Sequence, residues 1–86
     1  MNKIFEAYKE IINEGILVGK TYIIKNGKKL NAENDDNPTD TEFLSGDKLT
    51  PYKLDQGYVW FHSNAPEFKK SNNWISSKTD FMKATQ

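Results

Sequence analysis

The stretch Trp74-Ile75-Ser76-Ser77-Lys78-Thr79-Asp80-Phe81-Met82 constrains the fold most. A serine, an aspartate three residues on, and then an apolar pair mark a capped helix start. The Ser77 hydroxyl is expected to accept from the backbone N–H near Asp80, with the Asp80 carboxylate reaching back to the N–H of Ser77. Such a helix end carries unpaired donors and a partial positive charge. Ser77, Lys78 and Thr79 are therefore candidate contacts for an anion, and Asp80 is the cap. Trp74, immediately before them, has two readings. It is either a core ring under a docked terminal helix or a stacking platform beside a phosphate-receptive helix end.

Around that helix the chain reads as one domain over residues 1–86. A chain of this length buries roughly 60–65% of its unfolded surface, near the low end for independent folding. Only 36% of residues are apolar while 13% are aromatic, so the core must come from few, large side chains. That profile suits a domain that buries more surface by forming a homo-oligomer, a dimer or a tetramer.

Residues Asn2 to Glu14 have the period of an amphipathic helix, with Ile4, Phe5, Tyr8, Ile11 and Ile12 on one face. Gly15 follows as its left-handed stop. Lys20–Lys25, Asn26-Gly27 and Lys28–Leu30 read as a β-hairpin closed by a type I′ turn. Residues 31–41 hold no apolar side chain larger than alanine and predict a mobile loop. Glu42–Gly46 could form a turn of helix. Tyr58-Val59-Trp60-Phe61-His62 is the clearest strand. Alternation puts Val59 and Phe61 toward the core, packed on the first helix, and Tyr58, Trp60 and His62 on the other face. The expected fold is α+β, a small antiparallel sheet with an N-terminal amphipathic helix and a short C-terminal helix.

Charge and residue types exclude several functions. Twelve lysines balance twelve acids and arginine is absent, so the excess of cationic groups that DNA binding needs is missing. With no cysteine and one histidine there is no thiolate nucleophile, no disulfide and no two-histidine metal site. No cofactor is expected. No apolar run approaches membrane-spanning length, and the charged N-terminal residues do not read as a signal segment, so a cytoplasmic protein is expected. His62 with Ser76 or Ser77 lacks the accompanying pattern of a nucleophile elbow or oxyanion hole, which argues against an enzyme. Tyr58, Trp60 and His62 could stack on a base, at roughly 1–3 kcal/mol per aromatic face, or be covered by another subunit. The two are compatible if ligand sites lie between subunits.

The opening run Phe5-Glu6-Ala7-Tyr8-Lys9-Glu10-Ile11-Ile12-Asn13-Glu14-Gly15 and the closing run Trp74–Met82 together resemble the phage Thoeris anti-defence sponge family. In that family a Phe-Glu-Glu-Ala helix ends in Glu-Gly, and Trp, Ser and Asp-Met recur at matching spacing near the end. The resemblance covers about a quarter of the chain. It implies a small α+β protein that oligomerises and binds cyclic nucleotide immune signals at subunit interfaces without cleaving them, in the host cytoplasm. Family members carry a basic residue and a tryptophan in the strand after the first helix; Lys20 and Tyr22 stand there in this chain. They join the expected ligand contacts by that resemblance. A related class of phage sponges captures the cyclic dinucleotides of CBASS defence. A second hypothesis is a small inhibitor that blocks a host defence protein by direct contact through its aromatic surface.

Overall fold

The computed structural model describes residues 15–37, 39–64 and 71–86. Six strands form one antiparallel sheet, followed by one short helix. The strands are β1 (Tyr22–Ile23), β2 (Lys29–Asn34), β3 (Asp40–Leu44), β4 (Lys48–Asp55), β5 (Tyr58–Ser63) and β6 (Trp74–Ser77), and the helix α1 is Lys78–Thr85. Their spatial order is β1-β4-β5-β6-β2-β3. This corrects the expected small sheet framed by two helices. The described chain is mostly sheet, and α1 is its one helix; the expected helix at Asn2–Glu14 lies outside the described residues.

The inner face of the sheet is built by alternation. Leu30 and Ala32 of β2, Phe43 of β3, Leu49 of β4, Val59 and Phe61 of β5, and Trp74 of β6 are all buried. Helix α1 lays Phe81 and Ala84 over them. Phe81 meets Phe61 edge-on at 5.5 Å between ring centroids, and Phe43 sits at the same distance from Phe61. Val59 and Phe61 do face the core, and the described element that covers this face is the C-terminal helix rather than the N-terminal one.

Two local readings are overturned by long-range pairing. Asn26-Gly27 does make a turn, with the Lys28 N–H donating to the Lys25 carbonyl at 3.0 Å. It does not close a hairpin, because β1 pairs with β4 while β2 pairs with β3 and β6. Nor are residues 31–41 a loop. Most of them lie in β2 and β3, whose register runs from Lys29↔Leu44 to Glu33↔Asp40. The reason is economical burial: within this stretch of β2 only Ala32 and Asn34 face inward, and small side chains suffice there. The buried Asn34 amide closes the turn itself, its Oδ1 accepting from the N–H groups of Asp36 (3.0 Å) and Asn37 (2.9 Å). Of Glu42–Gly46, read as a turn of helix, Glu42 to Leu44 complete β3 and Ser45-Gly46 form a turn.

A β4–β5 hairpin turns through Gln56 and Gly57, both at positive φ, as a two-residue primed turn demands. Further along β4, Pro51 cannot donate to a ladder, and the register shifts between Pro51 and Lys53. The extra residue, Tyr52, is turned outward onto His62, the rings stacked 4.3 Å apart at 18°.

Strand β6 is prolonged by a side chain. Phe61 pairs with Trp74, so the same register carried two residues on sets Ser63 beside Asn72. The Asn72 amide takes the place of a backbone partner there, accepting from the Ser63 N–H and donating to the Ser63 carbonyl, each at 2.7 Å. Its Oδ1 also accepts from the Trp74 indole N–H at 3.2 Å. Truncation by Asn72→Ala should cost about 1–3 kcal/mol, the scale for removing the partner of part-buried polar groups. Urea unfolding checks this; a midpoint equal to wild type would show that water replaces the amide freely.

Candidate functional site

The structure divides the expected site residues among four places. Trp74 is in the core at 3% exposure, edge-on to Phe43 at 5.1 Å and 85°. It is no stacking platform. Strand parity decides the point: in β6, Trp74 and Ser76 face inward while Ile75 and Ser77 face outward.

Lys20 and Tyr22 lie at the β1 end of the sheet, with the Lys20 ammonium 5.2 Å from the Tyr22 ring centroid. Tyr22 is engaged by the fold. Its ring packs edge-on to Phe81 at 5.5 Å, and its hydroxyl accepts from the Leu17 N–H at 2.9 Å.

The alternation read from β5 holds, with Tyr58, Trp60 and His62 on the side opposite Val59 and Phe61. They are nevertheless not one open platform. The Lys53 ammonium sits 4.4 Å from the Trp60 ring centroid, occupying one face of a half-buried ring. His62 is stacked on Tyr52, and its Nδ1 lies 2.8 Å from the Asn72 carbonyl. A carbonyl only accepts, so Nδ1 carries the proton and anchors the ring. Tyr58 is half exposed, at 50%; His62 is exposed as well, but its ring is held by Tyr52 and Asn72.

The helix start carries half of the expected cap: Ser77 is extended and its Oγ accepts from the Asp80 N–H at 3.0 Å, so Ser77 rather than Asp80 is the capping residue, and the carboxylate makes no return bond to the Ser77 N–H. The cap and the fold use up donors that an anion would need. Lys78 N–H donates to the Gly57 carbonyl at 2.9 Å, tying the helix to the β4–β5 turn. Thr79 lies instead on a second concavity of about 390 Å³, with Lys28, Met82, Lys83 and Gln86. Ser77, however, is paired directly with Tyr58. Tyr58 thereby occupies the position beside the helix start that Trp74 was a candidate for.

Tyr58 also borders a concavity of about 460 Å³, lined with Asn31, Ala32, Glu33, Asp40, Ile75 and Ser76. Its origin is a short ladder. The registered pairs of β2 and β6 are Glu33↔Ile75 and Asn34↔Trp74, and the chains separate as β6 turns into α1, leaving Asn31, Ala32 and Ser76 around a gap. The volume falls in the range of small-molecule sites, roughly 300–1,000 Å³. Asn31, Glu33 and Asp40 were hidden in what read as a loop. The signal that could have exposed them is the parity of Leu30, Ala32 and Asn34, which turns Asn31 and Glu33 outward together.

A separate polar cluster ties the β2–β3 turn to residues 71–73. The Asp36 carboxylate accepts from the Ser71 hydroxyl and from the Asn73 amide (2.7 Å), and the Tyr52 hydroxyl donates to Asn73 Oδ1 at 3.2 Å. The bonds from Ser71 and then Asn73 hold the Asp36 carboxyl below its ordinary range. Burial, followed by the charges of Asp35 and Asp36, pushes the Tyr52 phenol up. The cluster is satisfied internally. Among the described residues no three His, Cys, Asp or Glu side chains are placed to share a metal, and no helix is long and apolar enough to cross a membrane.

Comparison of the chain with family models, with curated proteins and with solved structures finds no match.

Proposed function

We propose that the chain is a non-catalytic binding protein that sequesters a cyclic nucleotide defence signal, a cyclic dinucleotide or a cyclic ADP-ribose isomer, in phage evasion of host immunity. The reading joins the resemblance of the two chain ends to one observation, the half-exposed Tyr58 ring set between a concavity of about 460 Å³ and the start of α1. A base stacks on Tyr58, and the phosphates lie toward Ser77 and the Lys78 ammonium. Trp74, Tyr22 and His62 support the fold around this site and do not touch the ligand. The protein acts as a dimer or tetramer in the host cytoplasm, and the exposed apolar side chains Leu17, Val18, Ile23 and Leu44 offer surface for a subunit contact. Those same side chains favour the second reading, an inhibitor that blocks a host protein by direct contact.

A thermal-shift panel of cyclic dinucleotides and cyclic ADP-ribose isomers separates the two. A sequestered ligand at a hundredfold excess over its dissociation constant adds about 2.7 kcal/mol of stability. Tyr58→Ala should abolish that gain while leaving the unliganded melting temperature nearly unchanged, because the ring is half exposed. Ligand recovered after heat denaturation should be chemically intact. Absence of any response across the panel would leave direct protein contact as the better reading.

A further inference from the structure

Outward residues of five strands form a row that ends on the edge strand β3: Lys53 on β4, Trp60 on β5, Ile75 on β6, Glu33 on β2 and Asp40 on β3 are each registered with the next. Its far end is acidic. Glu33 and Asp40 stand directly opposite one another, both exposed, and like charges in that position repel. Among the described residues the one ion pair is Lys29–Glu42 (3.2 Å), which neutralises neither of them. Both carboxylates line the concavity that Tyr58 borders, with the Asn31 amide beside them.

A phosphate placed at that end would be repelled, so an anionic ligand must enter with its uncharged part toward the acids. Ionised carboxylates only accept hydrogen bonds, so that part must present N–H donors. Among nucleobases, guanine offers two adjacent parallel donors, N1–H and the exocyclic amine, which match the two oxygens of one carboxylate. Adenine offers an amine next to the N1 lone pair, and that lone pair faces a carboxylate oxygen with repulsion. Stacking on Tyr58 is indifferent to base identity, since every base has an aromatic face. Discrimination therefore falls to the polar wall.

We propose that this concavity is a guanine-selective subsite, in which the base lies against Tyr58 and its donor edge is read by Glu33, with Asp40 and Asn31 completing the polar wall. The inference rests on the sequestration reading and adds the identity of the base. It makes Glu33 the specificity-determining residue.

The test is calorimetric titration of wild type, Glu33→Gln and Asp40→Asn with cyclic di-GMP, cyclic di-AMP and N-acetyl-arginine amide. Wild type should prefer cyclic di-GMP over cyclic di-AMP by about tenfold or more, the scale of a hydrogen bond to a charged group. Glu33→Gln should bring the two affinities together while keeping or raising the melting temperature, since it removes one of two repelling charges. Asp40→Asn should weaken the preference less. Equal affinity for the two dinucleotides in wild type, or a preference that survives Glu33→Gln, overturns the guanine subsite and leaves sequestration standing. Binding of neither dinucleotide, with a response elsewhere in the panel of signals, likewise removes this subsite alone. No nucleotide binding of any kind removes both. Tighter binding of the arginine amide than of cyclic di-GMP overturns the proposal in favour of a cationic protein side chain.

Discussion

Trp74→Ala should destabilise the protein by about 3–5 kcal/mol, the range for truncating a large buried aromatic. The indole is 3% exposed, packs edge-on to Phe43, and reaches Asn72 through its N–H. Alanine therefore leaves a cavity at the centre of the inner face and disturbs the amide that prolongs β6. Trp74→Phe should recover part of the loss, because a smaller ring still meets Phe43 but cannot donate to Asn72. Equilibrium denaturation in urea measures both variants. If the sequestration reading holds, affinity for nucleotide in the fraction that remains folded should match wild type, since the ring faces away from Tyr58. A stable Trp74→Ala protein with lost nucleotide binding would reverse this assignment and return Trp74 to the ligand surface.

That result bears on what a single sequence can reveal. Short-range patterns were legible where one alternation or one cap settled the matter. Tyr58–His62 alternates large side chains on both faces, and its parity is visible without a partner strand. The Ser77–Asp80 spacing marks a helix start to the residue. Where two patterns overlap, the reading splits. Trp74 stands just before a capped helix, so it read as core or as platform with the core reading only somewhat favoured, and the pairing of β6 with β5 placed it inward.

Long-range pairing was the larger obstacle. Asn26-Gly27 is a strong hairpin signal, yet the strand on each side of it finds its partners elsewhere. The failure at residues 31–41 has a different cause. Ala32 and Asn34 occupy inward positions where bulk is supplied by Phe43 and Trp74 across the sheet, so an inward position carried no apolar mark. The concavity was illegible for the same reason, since it exists because β2 and β6 part company after two registered pairs. Its acidic wall, Glu33 and Asp40, comes from strands whose pairing no local signal announces.

The second large effect is expected at Phe81. Its ring is fully buried and touches both sides of the core, edge-on to Tyr22 and to Phe61 at 5.5 Å each. Helix α1 is eight residues long, and isolated helices shorter than about 12–15 residues are marginal in water. Its stability must therefore come from docking. Phe81→Ala removes the main apolar anchor and should cost about 3–5 kcal/mol, whereas Met82→Ala, at a half-buried position on the same helix, should cost far less. Three polar ties remain in the variant. They are the Lys78 N–H on the Gly57 carbonyl, the Lys25 N–H on the Ala84 carbonyl, and the Lys28 ammonium on the Gln86 carbonyl. Each is a single hydrogen bond and cannot replace a buried ring. Native-state hydrogen exchange gives the sharper check. In wild type the amides of Ala84 and Thr85 should open only with global unfolding, while in Phe81→Ala they should exchange through a local opening of the helix at lower free energy. Loss of the helix also frees the Lys78 side chain while Ser77 stays paired with Tyr58 in β6, so, on the sequestration reading, nucleotide affinity should fall in part with helix protection rather than with the global midpoint. Equal protection of α1 in both proteins would mean that the cap and the polar ties, not Phe81, hold the helix on the sheet.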